Sequence, residues 1–285
     1  MSSAHHFGTK GMCILAAFLG LAAVPKAGVN SGWQLLAPGM ELRRITSNTP
    51  NPIGNSPIVV LRMDPDLWEL VFVGVTNTSE SASHTARSWA ESYHLTATIN
   101  AGMFDQDGKT HLGYVRLQGQ VSNSKVNNYQ SVAAFDPRDS KLPHFRIFDL
   151  DGESINLQGI LKDYGSAVQN LRLIKHPGVN QWSQQSKKWS EAALAEDNKG
   201  RILFIFSRSP FSMHDLNREL LAAGIGLVAA QHLEGGPEAQ LYVRAGKEEF
   251  EGFGSYETSF REDDGNSIPW PVPNVLGVRP RQASH

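Results

Sequence analysis

A glutamate stands near the end of an apolar run and directly before two glycines. Residues 226–230 are apolar or small, and the chain then reads QHLEGGPE over residues 231–238. A carboxyl group that is buried at the end of a strand has a raised pKa, which suits it to proton transfer. The glycines after Glu234 would leave the space beside it open. A hairpin with Glu234 on its rim would explain the same residues, and spacing alone does not separate the two interpretations.

Two neighbours of this glutamate could share its chemistry. His232 lies two residues earlier, and alternate residues of a strand point to the same face, so His232 could join Glu234 in one site. Glu238 is either a second carboxylate of the same turn or an ordinary surface charge.

Two other polar side chains follow predicted strands. Asn100 comes after the strand 95–99. Its amide could hold a sugar hydroxyl or an oxyanion, and Gly102 would let the backbone approach a ligand. Asn-x-Gly is, however, also typical of a plain turn. Arg208 comes after the apolar strand 201–206 and could bind a phosphate through two parallel hydrogen bonds, or it could be a solvated arginine in a turn.

The chain around these residues predicts the elements that must position them. Residues 201–234 read as strand, helix and strand, with Ser212 as the helix cap, which predicts a βαβ-like unit with a parallel strand pair. We therefore expect an α/β (mixed α+β) fold, a single domain with a central mixed β-sheet and flanking helices. Ligands gather at the carboxyl ends of parallel strands. If the strands before them are parallel neighbours, Asn100, Arg208 and Glu234 converge there.

Several common site patterns are missing from the sequence. No histidines pair at H-x-x-x-H spacing, no glycine-rich loop fits a nucleotide phosphate, and there is no G-x-S-x-G elbow. The Asp-x-Asp-Gly stretch over residues 105–108 lacks the later acidic ligand of a calcium loop. We expect no metal site and no cofactor, although carboxylates near a phosphate could recruit a divalent cation. The net charge of −2 gives no basic footprint for nucleic acid.

The N-terminus has the pattern of a secretory signal peptide. Lys10 precedes an uncharged apolar run over residues 11–24, which is too short for a spanning helix and contains the only cysteine. We expect a signal peptide over residues 1–27, a lead-in segment over 28–54 and the functional domain over 55–280. The mature protein would be periplasmic or secreted, with no stable membrane span. An uncleaved membrane anchor is the alternative.

Three motifs occur in a fixed order along the chain. They read NAGMF over residues 100–104, LGYV over 112–115 and LEGG over 233–236. With these motifs, the sequence over about residues 55–280 resembles the phosphodiester glycosidase family, and it is most similar to the bacterial periplasmic branch of that family. Glu234 replaces the aspartate that is usual in the D-G-G motif of the family. Pro and Glu follow the glycines in place of the usual serine.

The resemblance implies a hydrolase that cleaves the bond between C1 of a sugar and a phosphodiester leaving group. Glu234 would act as nucleophile or base, and Asn100 would orient the sugar. Arg208, or the lysines Lys187 and Lys188, would hold the phosphate. The residues expected to bind the carbohydrate or glycophosphate substrate are Gly102, Phe104, Arg208, His232, Gly235, Gly236 and Lys188.

A function of another class stays open at this point. The chain could be a non-catalytic periplasmic or envelope module that binds polysaccharide. Trp182 and Trp189 lie in a polar segment and could stack on sugars, as exposed aromatic side chains do.

Overall fold

The described chain folds into two antiparallel β-sheets with three short helices. The computed structural model describes Met1 and residues 32–49, 51, 53–152 and 155–282. The strands of the large sheet are β1 (Gln34–Ala37), β2 (Met40–Ile45), β3 (Ile58–Met63), β6 (Val115–Leu117), β7 (Gln120–Asn123), β8 (Gln130–Pro137), β9 (Phe145–Asp149), β10 (Tyr164–Ile174), β11 (Trp189–Asp197), β12 (Ile202–Phe211) and β13 (Leu227–Gly235). The strands of the small sheet are β4 (Trp68–Gly74), β5 (Ala97–Asn100), β14 (Gln240–Ala245), β15 (Glu248–Phe253) and β16 (Asn274–Pro280). The helices are α1 (Ala86–Ser92), α2 (Leu157–Asp163) and α3 (Met213–Ala222).

The strand order places β11 between the two strands that the sequence predicted to be a parallel pair. The large sheet has the order β1-β2-β3-β12-β11-β13-β10-β6-β7, with β8 pairing with both β10 and β9. The small sheet has the order β15-β14-β5-β16-β4. Because β12 and β13 are each antiparallel to β11, they run in the same direction without being hydrogen-bonded to one another.

The core explains why these strands read as continuously apolar. The largest cluster joins the two sheets and takes Ile202, Phe204 and Phe206 from one face of β12. A second cluster, which includes α3, takes Leu203 and Ile205 from the opposite face. Both faces of β12 are therefore covered, and a strand covered on both faces reads as an apolar run in either a parallel or an antiparallel sheet.

The predicted α/β fold with a central mixed sheet and flanking helices is wrong. Every strand pair in the described residues is antiparallel, and the three helices have seven to ten residues each. The helix capped by Ser212 does exist, since the Ser212 hydroxyl accepts a hydrogen bond from the Asp215 N–H at the start of α3. The predicted order of strand, helix and strand is present as β12, α3 and β13. The two strands are not neighbours, however, because β11 lies between them.

The glutamate-glycine stretch is a crossing between sheets and does not form a hairpin. β13 belongs to the large sheet and β14 to the small one, and a 3-10 turn over Gly236–Glu238 connects them. Gly236 has φ of +65°, a left-handed value that glycine adopts without strain. Pro237 then begins the turn with its fixed φ. The chain therefore leaves the large sheet at the end of β13 and enters the small sheet at β14.

Two sequence predictions concern the N-terminal part of the chain. The predicted signal peptide over residues 1–27 lies outside the described residues, apart from Met1. The segment expected as a lead-in contains β1 and β2, which pair with each other and extend the large sheet at β3. No helix in the described part of the chain is long and apolar enough to cross a membrane.

Candidate active site

Glu234 lies at the carboxyl end of β13, beside the neighbouring strand β11. Its backbone is in register with Ala192, and the register places Glu191 opposite Gly235. The register of β13 against β11 shifts between His232, which lies opposite Ala193, and Glu234, and the bulge interrupts the alternation of side chains along the strand. The two groups are still close enough for each to shift the pKa of the other. The strand thus presents an imidazole and a carboxyl group together at its end.

The surroundings of Glu234 make its carboxyl group a weak acid. Burial among protein atoms raises the pKa of Glu234 to about 8, although part of its side chain stays accessible. His232 and the backbone N–H of Gly235 lower this pKa, and the nearby carboxylates Glu238 and Glu257 raise it further. Glu234 therefore exchanges a proton near neutral pH, which is the range where acid–base catalysis is most effective.

Glu191 is a buried carboxylate that holds two side chains of the site. It is 1% exposed. One carboxylate oxygen lies 2.6 Å from His232 Nδ1, and the other accepts a 2.8 Å hydrogen bond from the indole N–H of Trp189. The Trp189 ring also packs on Gly235, where a Cβ atom would lie 2.8 Å from Trp189 Cδ1. The absence of a side chain at Gly235 therefore lets the tryptophan reach Glu191.

A loop after β15 brings a third carboxylate to the same turn. A Cβ atom on Gly236 would lie 2.6 Å from Glu257 Oε2, so the glycine leaves the space that Glu257 occupies. Burial raises the pKa of Glu257, while His232 and Lys187 lower it. Burial also raises the pKa of Glu238 in the turn. The predicted second carboxylate of the turn thus belongs to a group of acidic side chains around Glu234.

Asn100 lies at the end of β5 and holds the turn that carries Glu238. Its side-chain N–H donates to the Glu238 carbonyl at 2.9 Å, and its side-chain oxygen accepts from the Gln240 N–H at 2.7 Å. The NAG motif is therefore bonded directly to the turn and the strand that follow the LEGG motif. Because both ends of the amide are used on backbone groups, Asn100 acts on the site through the position of the turn.

Gly102 lies against a strand of the large sheet. It has φ of +151°, and a Cβ atom there would lie 2.1 Å from Asn170 Oδ1 and 2.3 Å from His111 Cε1. Asn170 donates to the Ala101 carbonyl at 3.0 Å. Phe104, partly buried, forms an isolated bridge with His111. The NAGMF motif is thus fixed on β10, with Asn170 and His111 beneath it.

Arg208 holds a loop and does not point a free guanidinium into the site. Its N–H groups donate to the Phe253 carbonyl at 2.8 Å, to the Asn266 carbonyl at 2.8 Å, and to the side chain and carbonyl of Asp264 at 2.7 and 3.1 Å. This loop is the one that carries Glu257. Arg208 therefore holds the loop after β15 in place through these four hydrogen bonds.

We expect Arg208→Gln to destabilise the protein. Four hydrogen bonds from a charged donor would be lost, which should lower the free energy of unfolding by roughly 2–4 kcal/mol after allowance for partial exposure. Urea denaturation measures this change, and limited proteolysis should show faster cleavage within residues 254–266. Arg279→Gln is the matched control, since it removes only an exposed pair with Glu69. An Arg208 variant of unchanged stability with a raised KM for a phosphodiester would instead make this arginine a phosphate ligand.

The remaining predicted residues lie in segments next to this centre. Lys188 contacts the loop through its backbone, which exchanges hydrogen bonds with Thr258. Trp182 donates its indole N–H to the Arg172 carbonyl at 3.0 Å. Both Trp182 and Trp189 pack against the core cluster that contains α3, so they do not form one exposed stacking surface.

Sequence reasoning missed several residues of the site. Glu191 could have been noticed in the sequence, because this acidic residue stands directly before the apolar run AALA. Tyr129 lies near Glu234, and burial together with this carboxyl group raises the pKa of its phenol. Glu257 gave no signal, since it lies in a polar loop far along the chain. Within the described ranges, no cluster of three or more His, Cys, Asp or Glu side chains is arranged to hold a metal ion.

Comparison with solved structures supports the fold. The structure is similar to the catalytic domain of zebrafish N-acetylglucosamine-1-phosphodiester alpha-N-acetylglucosaminidase, auto-inhibited by its pro-peptide, with a TM-score of 0.59 and 11% sequence identity over 85% of this chain and 89% of that one. It is also similar to a hypothetical protein from Synechocystis, with a TM-score of 0.56 and 14% identity over 86% of this chain and 62% of that one. At these identities, the likeness concerns the fold alone.

Comparison at the level of sequence gives the family. A search of curated proteins finds no match. The profile of the family described as Phosphodiester glycosidase matches residues 93–279, a span that includes the NAGMF, LGYV and LEGG motifs. Because this match covers well over half of the 285 residues, the chain belongs to the phosphodiester glycosidase family.

Proposed function

We propose that this protein is an exported hydrolase that cleaves a sugar-1-phosphodiester between C1 of the sugar and the phosphate oxygen. Membership of the family supports a sugar–phosphate substrate. The observation that carries the reaction is the pKa of Glu234, raised to about 8 by burial, at the open end of β13 beside His232. Export rests on the sequence pattern of the first 27 residues.

Glu234 is the base of the proposed reaction. It removes a proton from the water that attacks C1, while the bond from C1 to the phosphate oxygen breaks. His232 is close enough to Glu234 to affect its pKa, so an imidazole and a carboxyl group serve the same end of β13. Glycosidases that activate water also use two groups beside the bond that breaks. A phosphate ester is a good leaving group, so the site does not need a strong acid to protonate it. The site must instead stabilise the charges that develop in the transition state.

Other residues of the site support this group. Asn100 holds the turn that carries Glu238, and the loop fixed by Arg208 carries Glu257. Gly102 and Phe104 keep the NAGMF segment against β10, and Gly235 and Gly236 make room for Trp189 and Glu257. Lys188 is bound through its backbone to Thr258, beside Glu257 in the same loop, and its side chain contacts the substrate at the edge of the proposed site.

The direct test is a panel of sugar-1-(methyl phosphate) diesters. The α-linked diesters of N-acetylglucosamine, glucose, galactose and mannose should include at least one substrate, with equal release of free sugar and methyl phosphate. The panel includes the N-acetylglucosamine diester because a structurally similar protein is named for that substrate. No release from a panel extended to β-linked and larger diesters would overturn the proposal and leave polysaccharide binding as the better explanation.

The pH dependence separates a base from an acid at Glu234. A base must be deprotonated, so kcat/KM should rise about tenfold per pH unit on the acidic side of a pKa of about 8. This acidic limb should disappear in Glu234→Gln together with the main activity. A fall in kcat/KM as pH increases through 8 that persists in His232→Gln and disappears in Glu234→Gln would instead make Glu234 the proton donor of the reaction.

A further inference from the structure

Glu191 and His232 form a buried pair whose side chains are held in place by hydrogen bonds. Glu191 is 1% exposed and His232 is 5% exposed, and the two lie on adjacent strands, β11 and β13. Their contact, from His232 Nδ1 to Glu191 Oε1, measures 2.6 Å. The second oxygen of Glu191 accepts from Trp189. Both oxygens of the carboxylate are therefore committed, in a place that is closed to water.

A carboxylate buried in this way keeps its charge only if a cation accompanies it. An unpaired buried charge is strongly destabilising, whereas a hydrogen-bonded ion pair is tolerated. The Trp189 indole is neutral, so the positive charge must come from His232. Burial disfavours the charged imidazole, but the attraction of Glu191, Glu234 and Glu257 outweighs burial and raises the pKa of His232.

The second nitrogen of His232 is left free by this arrangement. In the part of the chain that the structure describes, no hydrogen bond is made by His232 Nε2. His232 keeps 5% of its surface exposed, and Nδ1 is the ring nitrogen that Glu191 holds. Trp189 packs edge-on against the ring, with centroids 6.2 Å apart. The imidazole is thus fixed on one side, and its other N–H is available beside Glu234.

We propose that Glu191 holds His232 as an imidazolium whose Nε2–H binds the phosphate of the substrate, which makes His232 a catalytic residue and Glu191 its positioning residue. This inference rests on the proposed function and deepens it. It names the cation that a phosphate leaving group requires. The arginine expected for this task is committed to the loop after β15, through its bonds to Phe253, Asp264 and Asn266.

The chemistry balances with these two groups. Water adds its oxygen to C1 and gives one proton to Glu234. The bond from C1 to oxygen breaks, and its electron pair stays on the phosphate oxygen. The phosphomonoester leaves as a dianion that the Nε2–H of His232 stabilises, since the second pKa of such a monoester is near 6. Glu234 then returns its proton to solvent, and no metal or other reactant is needed.

The matched variants are Glu191→Gln, His232→Gln and Glu196→Gln. Glutamine at 191 keeps an acceptor for the Trp189 N–H but removes the charge that holds the imidazolium. Glu196 is the control, because it is another buried carboxylate of β11. It accepts from the Ile147 N–H at 2.7 Å and pairs with Arg146 at 2.8 Å, outside the proposed site. If Glu191→Gln does not fold, the charge of His232 in the wild-type protein decides, since a neutral ring at pH 7 overturns the proposal.

The first measurement is the charge of His232 itself. Imidazole nitrogens give distinct ¹⁵N NMR signals in the charged and neutral forms, and the His232 signals are assigned by their loss in His232→Gln. At pH 7 the wild-type protein and Glu196→Gln should show an imidazolium at this residue. Glu191→Gln should show a neutral ring. An imidazolium that persists in Glu191→Gln, or a neutral ring in the wild type, overturns the proposal without reference to activity.

The second measurement is the binding of methyl phosphate, the product anion, by isothermal titration calorimetry. Binding should weaken at least tenfold in Glu191→Gln and His232→Gln at pH 7, and it should be unchanged in Glu196→Gln. Wild-type binding should also weaken as pH rises through the titration of His232. Equal binding in all four proteins overturns the proposal. If these results hold while no diester is hydrolysed, the phosphate site stands and the proposed reaction fails, so the two failures are distinguishable.

Discussion

Replacing Glu234 by glutamine should lower kcat/KM for a sugar-1-phosphodiester by roughly 10²–10⁴-fold, the usual contribution of a general base. Glutamine keeps the size of the side chain and cannot accept the proton of the attacking water. The loss should fall mainly on kcat, because the sugar and phosphate contacts stay in place. Steady-state kinetics on the best diester of the panel measures this effect.

The stability of the same variant provides the control. The pKa of Glu234 is raised from 4.5 to about 8 on folding, so the folded state favours the proton. Above pH 4.5 the unfolded chain loses that proton first, and stability therefore falls as pH increases toward 8. Glutamine has no such penalty, so Glu234→Gln should melt at the same temperature as the wild type or higher at pH 7. A variant that keeps full activity would remove Glu234 from the reaction.

The family could be recognised from the sequence motifs, and part of the chemistry of the site could be predicted from the residue types. A carboxylate that follows an apolar run and precedes glycines indicated a buried acid, and Glu234 has a pKa raised by burial. The period of two along a strand predicted that His232 shares its face, but a shift of register between the two residues interrupts that period. The identity of the cation was beyond reach, because Arg208 and His232 look equally available until the hydrogen bonds of the loop after β15 are seen.

The fold was mispredicted for a reason that lies in one strand. An apolar run bounded by a helix and a second apolar run is the pattern of a parallel βαβ unit. The same pattern arises here because β11 inserts between β12 and β13, and it comes earlier in the chain. The amino-acid composition of β11 does not indicate that this strand lies between β12 and β13. Glu191 is one of three acidic residues in β11, and its partner on β13 is 41 residues away.

The convergence of the motifs was predicted with the wrong geometry. Asn100 and Glu234 were expected on neighbouring parallel strands, yet β5 and β13 belong to different sheets. The crossing over Gly236–Glu238 connects the sheets, and the amide of Asn100 binds that crossing at the Glu238 carbonyl. The asparagine therefore serves the site through a backbone turn, a role that residue type alone does not distinguish from contact with a sugar.

Replacing Gly102 by alanine should destabilise the protein strongly. The added Cβ atom would meet Asn170 Oδ1 at 2.1 Å and His111 Cε1 at 2.3 Å, and both of these side chains are buried. The residue also has φ of +151°, which side chains rarely adopt. Overpacking of about 1–3 kcal/mol and backbone strain of about 1–3 kcal/mol together predict a loss of roughly 4 kcal/mol in the free energy of unfolding. Urea denaturation, followed by tryptophan fluorescence, measures it.

Gly108→Ala is the matched control for this prediction, because it changes a glycine of the same segment. Gly108 also has a positive φ, of +65°, but no atom lies within 4 Å of its added Cβ. Only the strain of about 1–2 kcal/mol should therefore appear. Gly102→Ala should also lose most of its hydrolytic activity, since the Ala101 carbonyl would be displaced from Asn170, whereas Gly108→Ala should keep it. Equal stability losses in the two variants would contradict the close packing of the NAGMF segment on β10.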